Sequence, residues 1–278
     1  MRPLALTPLF LLAACSGGGA TPDGGNLPGP ADLAVPADPA DAAVAPADAA
    51  GPVPDIAMPP DMGDILGTHS GACGTLMARL HDPNPALVED SLVFMQPEMW
   101  GRAALSPDGK RFFDTPNAGG SSLESEVMSF EVLRYCEGAS LYKTETEIAY
   151  APPDDAGANT ITDYEITMYG EKVGVSVTRA YKPSGQGVYT DIEVKSLLEK
   201  KLHGVVRSSM RVMPADRWVK QILHVWVANQ DARAAVARVW PQLDAATRAD
   251  TIVLLTATTG GGFIYCNPDP PLGSECPP

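Results

Sequence analysis

Residues 16–64 decide how much of this chain can fold. The segment is built from proline, alanine, glycine and aspartate, as in PADLAVPADPADAAVAPADAAGPVP, and holds eight aspartates but no lysine, arginine or aromatic residue. It shows neither helical nor alternating apolar periodicity, and it cannot bury enough apolar surface to offset its chain entropy. A disordered tether is expected over 15–64, spanning roughly 40 Å as a flexible coil and up to about 150 Å if drawn into polyproline II. Any folded function is left to residues 65–278.

The tether is preceded by MRPLALTPLFLLAACSGGG. Arg2 gives a positive start, a short apolar run follows, and Leu12-Ala13-Ala14-Cys15 closes it. The run is too short for a mature membrane span and ends in small residues, as processing segments do. It resembles a bacterial lipoprotein signal with its lipobox. That resemblance implies a signal peptide over 1–14, cleavage before Cys15 and acylation (palmitate among the chains) of that cysteine. It also implies a lipid-membrane partner reached through Cys15 and placement in the cell envelope. Ser16, where an aspartate would favour inner-membrane retention, points to the outer membrane. An uncleaved secretory signal that happens to contain a cysteine is the other reading.

The whole chain carries a net charge of −14, and eight of its acids lie in the tether. The remainder is still acidic, which disfavours nucleic acid as a partner, because such binders collect positive charge to displace counterions. Four cysteines follow Cys15: Cys73, Cys136, Cys266 and Cys276. An exported compartment permits disulfides, and four cysteines allow three pairings. CNPDPPLGSEC suggests a Cys266–Cys276 loop, with Cys73–Cys136 as the second pair; Cys136 as a buried free thiol stays open. No cysteine–histidine spacing matches a zinc site.

Residues 65–118 read as an irregular lead-in, in which SPDGKRFF (106–113) suggests a turn into a strand. From Gly119 the pattern sharpens. GGSSLESEVMSFEVLRYC reads as a helix, with Ser121 and Glu124 as a capping box and Leu123, Val127, Phe130 and Leu133 on one face. ASLYKTETEIAY alternates and is β-rich, and ITDYEITMYG and EKVGVSVTRAY form a hairpin about Gly170-Glu171. TDIEVKSLLEKKLHGVV is helical, with Thr190 and Glu193 as a second capping box. KQILHVWVA and DTIVLLTAT are apolar on both faces, as buried parallel strands are, and DARAAVARVWPQL is the helix between them.

YTDIEVKS (189–196) carries the aspartate and Glu-x-Lys with which metal-dependent nucleases cut phosphodiesters. It opens a helix, where residues i and i+2 lie on different sides, so Glu193 and Lys195 cannot converge on one metal and one phosphate. Glu193 is also engaged by the cap. The motif is read as a decoy.

The element order α-β-β-β-α-β nevertheless resembles the PD-(D/E)xK nuclease superfamily, over roughly Ser121–Thr258. The resemblance implies an α/β fold with a restriction-endonuclease-like core, ordered α-β-β-β-α-β-α-β in a mixed sheet flanked by helices, over 119–278. The family's helix acid would be Glu126 and its strand aspartate Asp163, a set that would bind metal; Glu165 could add a second strand carboxylate. Where glutamate and lysine should stand on the third strand, this chain has Ser176 and Thr178, which supply neither charge. The departure implies a catalytically degenerate domain without a cofactor. It would serve as a binding or interaction module for an unknown envelope partner or anionic ligand. The alternative is a divergent Mg²⁺-dependent phosphodiesterase using Asp163 and Glu126. GxSxG, HExxH, Walker and dinucleotide motifs are missing. His224, inside an apolar strand, reads as a satisfied core residue. Lys195, Lys200, Lys201, Arg207, Arg211, Arg217 and Lys220 form a basic cluster that could meet anions or be the solvated face of a helix.

Overall fold

The structure is a computed structural model. It describes residues 67–266 apart from 96, 98–99, 119–121, 153–159 and 183–186. The signal, Cys15, the tether and Cys276 lie outside the described residues.

Two strands that are apolar on both faces organise the domain. β6 (Lys220–Val227) is buried at every position, and β7 (Ile252–Thr259) at every position but the last. They are parallel neighbours joined through α4 (Gln230–Val239). Burial on both faces requires helices above and below the sheet. Before them come α2 (Leu123–Glu137), β3 (Ser140–Thr144), β4 (Tyr164–Met168), β5 (Glu171–Ala180) and α3 (Asp191–Arg211). The expected order α-β-β-β-α-β-α-β is therefore present. Among the described residues, and with β1 (Thr68–Gly71) and β2 (Ala86–Val93) ahead of these elements, the mixed sheet has seven strands in the order β1-β2-β7-β6-β5-β4-β3. β3, β4 and β5 pair antiparallel, and β5, β6, β7 and β2 pair parallel.

The segment read as an irregular lead-in contributes the two remaining strands. β1 (Thr68–Gly71) is antiparallel to β2 (Ala86–Val93), and β2 lies parallel to β7 along its whole length. Its apolar residues are interrupted by Glu89 and Asp90, which hid the strand. Ser106–Phe113 also differs from expectation. It is not a strand: Ser106 caps α1 (Pro107–Asp114) by accepting the Gly109 N–H, and Pro107 sits in the first turn, where its missing N–H costs nothing. The strand expected over ASLYKTETEIAY stops at Thr144 and turns.

One core lies under α1 and α2 and includes Phe112, Phe130, Tyr164, Val175, Ile222 and Trp226. The other lies under α3 and α4 and includes Val194, Leu198, Leu223, Val225 and Val236. Local signals agree with these elements. Thr190 and Glu193 form a reciprocal capping box on α3. The β4–β5 hairpin turns through Tyr169 (φ 53°) and Gly170 (φ 84°), both left-handed, as a type I′ turn requires. α2 starts at Ser122 rather than at a Ser121–Glu124 box, and its cap makes no side-chain bond to the helix backbone.

Candidate functional site

β5 is longer than β4, and the mismatch builds the site. Tyr164 pairs with Val175, so β5 runs on to Ala180 without β4 beside it. Val177, two residues beyond that pair, points its N–H and C=O toward the side β4 has left. Neither is wasted. The carboxylate of Asp163, the residue just before β4, accepts the Val177 N–H at 2.5 Å. The Lys201 ammonium, delivered by α3, donates to the Val177 carbonyl at 3.2 Å.

From the other face of the sheet α2 contributes Glu126, which is only 4% exposed. One of its oxygens accepts the Ser122 hydroxyl at 2.5 Å. The other, Oε2, is buried with no hydrogen-bond partner among the described residues. Burial pushes the Glu126 carboxyl up to about 8, and the Asp163 charge adds to the rise; the Ser122 hydroxyl and Lys201 oppose it. Burial also pushes Asp163 up, to about 6, against the pull of Lys201 and the Val177 N–H. Glu145, in the turn after β3, raises both groups through its charge, and is itself raised chiefly by burial. Three carboxylates and one lysine thus act on one another. A buried oxygen with no donor, beside a second carboxylate held above its ordinary pKa, is an environment short of positive charge.

The structure brings Glu126 and Asp163 into one electrostatic site and buries Glu126. It does not bring Glu165 there. Glu165 is fully buried and faces Lys172 at 4.0 Å, with Lys143 and Asp216 nearby. Burial raises it to about 7. Asp163 lies just before the strand starts at Tyr164 and turns back onto Val177, so it does not share a strand face with Glu165 two residues on. Ser176 and Thr178 pair with Leu223 and Val225, so they face α3 and bring only hydroxyls.

Sequence reading missed Lys201 and Glu145 as members of the site. A signal existed for Lys201: it follows Leu198 by three and flanks Leu202, which puts it at the edge of the apolar stripe facing the sheet. The basic cluster is not one surface. Arg211 binds the Ala151 and Thr160 carbonyls, Lys220 is buried on the carbonyl of Asp82, and Lys195 lies 3.8 Å from Glu199. His224 is a satisfied core residue: its Nδ1 meets Ser129, which also meets Tyr164, and its Nε2 meets Thr256. Burial lowers it to about 3. Cys73 and Cys136 are joined by a disulfide. The other expected pair, Cys266–Cys276, has its second member outside the described residues.

No family model matches the sequence. The AAC-rich mRNA clone AAC4 protein of Dictyostelium discoideum is 40% identical over 167 residues, covering 58% of this chain and 24% of that protein. The chain therefore spans about a quarter of that relative's length. Among solved structures, SfsA of Pyrococcus furiosus in complex with Ca²⁺ is similar over 49% of this chain and 56% of that one, at 12% identity and a TM-score of 0.27. That likeness is too slight to bear on function.

Proposed function

We propose that the domain is a divalent-cation-dependent phosphodiester hydrolase of nuclease-like fold, displayed from the cell envelope by a lipid anchor on Cys15. The carrying observation is the orphaned Oε2 of Glu126, buried in the same field as Asp163 with Lys201 alongside. Hard carboxylate oxygens suit Mg²⁺ or Mn²⁺, and a cation would satisfy the oxygen that the protein leaves unpaired. Glu126 and Asp163 would hold it. When bound, it would polarise a phosphoryl oxygen and acidify a water. Asp163 is pre-oriented by the Val177 N–H, so it needs no rearrangement to serve as a ligand. Glu126 would release its proton as the cation arrives. Lys201 supplies from the helix the positive charge that Thr178 cannot supply from the strand, where it would favour a developing anion. Anchoring is supported by the lipobox; among the described residues no helix is long and apolar enough to cross a membrane.

The test is calorimetric titration of the full chain with Mn²⁺, followed by hydrolysis of bis(p-nitrophenyl) phosphate and of supercoiled plasmid. Wild type should bind and cleave. Asp163→Asn should lose cation binding, whereas Lys201→Met should keep binding and lose at least tenfold in kcat. Ser176 and Thr178, standing where an acid and a lysine are wanted, favour a second reading as a binding module. Cation uptake without cleavage of either substrate would establish that reading instead.

A further inference from the structure

We propose that the Cys73–Cys136 disulfide is the oxidised form of a zinc site, which takes one Zn²⁺ through Cys73, Cys136, His69 and Asp90 once a dithiol has reduced it. The cluster lies where β1, the turn after it, β2 and the last turn of α2 meet, and it shares no residue with the carboxylate site.

Three of the four donors are already gathered, and the fourth, Asp90, lies against one of them. One atom each from His69, Cys73 and Cys136 lies within 4.8 Å of the others. The His69 Nδ1 is 3.7 Å from the Cys136 sulfur and 3.3 Å from Asp90 Oδ2. In a tetrahedral site with Zn–S of about 2.3 Å and Zn–N of about 2.0 Å, ligand atoms sit roughly 3.3–3.8 Å apart. The nitrogen–sulfur and nitrogen–oxygen spacings therefore fit before anything moves. The sulfurs must part, and Asp90, which touches His69 but is not in the group of three, must close on them. The side chains of His69 and Asp90 are 4% and 2% exposed, so the ligands are fixed by packing. The imidazole is further held by stacking on Tyr135 at 5.2 Å. Two sulfurs, one nitrogen and one oxygen on rigid elements match zinc better than a hard cation.

The chemistry balances. The dithiol gives two electrons and two protons to the disulfide, leaving two cysteine thiols and its own disulfide. Zinc then displaces a proton from each thiol, and His69 binds through Nδ1 with its proton on Nε2. The metal would replace the covalent link between the β1 turn and α2, so the edge of the sheet stays fastened in either redox state.

The full chain is reduced with dithiothreitol, freed of it by anaerobic gel filtration, and titrated with Zn²⁺ against a chromogenic chelator, with Co²⁺ as a spectroscopic probe. Reduced wild type should bind one zinc more than the Cys73→Ser/Cys136→Ser variant, which subtracts binding by the other cysteines. It should also show thiolate-to-cobalt charge transfer and melt at higher temperature with zinc than without. His69→Gln should weaken zinc at least tenfold yet still form the disulfide in air. Equal stoichiometry in wild type and double variant overturns the proposal. So does equal affinity before and after reduction, or loss of the native circular dichroism on reduction that zinc does not restore.

Discussion

Glu126 is held in a form that water would not choose. Its pKa in the folded chain, about 8, exceeds its ordinary value of 4.5, so the fold favours the protonated carboxyl. The stability this confers is fully present below the unfolded value and drains away as pH rises through about 8. Asp163, raised to about 6, acts with the same sign over a lower window. Without divalent cations the domain should therefore be weaker at alkaline than at mildly acidic pH. The difference should be a few kcal/mol, since each tenfold change in proton affinity is worth roughly 1.4 kcal/mol. Glu126→Gln should flatten much of that slope, which urea melts with a chelator at about pH 5, 7 and 9 will show. Added Mn²⁺ should raise the stability of wild type at high pH more than that of the variant and so narrow the gap between them, because only the carboxylate gains a ligand. Glu126 and Asp163 were singled out through the resemblance to the nuclease superfamily, which rested on element order, and they do act on one another electrostatically. Lys201 was not, since its role depends on a strand earlier in the chain outrunning its partner, a mismatch that no local pattern records. Glu165 was misplaced because alternation was carried one residue past the end of a strand.

Capping and apolar periodicity were the best-recorded features at the level of elements, because they are local chemistry. The Thr190–Glu193 box formed as read, and Glu193 is pulled down to about 2, first by Lys182 and then by the Thr190 groups. Thr190→Ala should cost about 1 kcal/mol in thermal or urea unfolding. β2 escaped notice because an Asp90 that is 1% exposed reads as surface until its partners are known. α1 was mistaken for a strand because the Gly109 that suggests a turn instead sits against Glu131 at the start of a helix. Gly174 shows the opposite case, a strand glycine with a packing reason. A Cβ there would lie 2.9 Å from the Trp218 ring and 2.8 Å from Gln221. Gly174→Val should destabilise by about 2–3 kcal/mol through overpacking, seen as a lowered denaturation midpoint with an unchanged m-value.

For the whole molecule, the disulfide spans a sequence separation of 63 and ties the first described strand to α2. Cys73→Ser/Cys136→Ser should lower stability by about 4 kcal/mol if loop entropy dominates, measured by denaturant melts under oxidising conditions. The larger plan comes from the sheet order. β7 lies between β2 and β6, yet it comes after both in the chain and is the last of the described strands. Until it arrives, the chain holds two half-sheets with raw facing edges and nothing to pair them. The seven-stranded sheet can close only when β7 enters between those edges, so its two halves depend on a single late strand to become one.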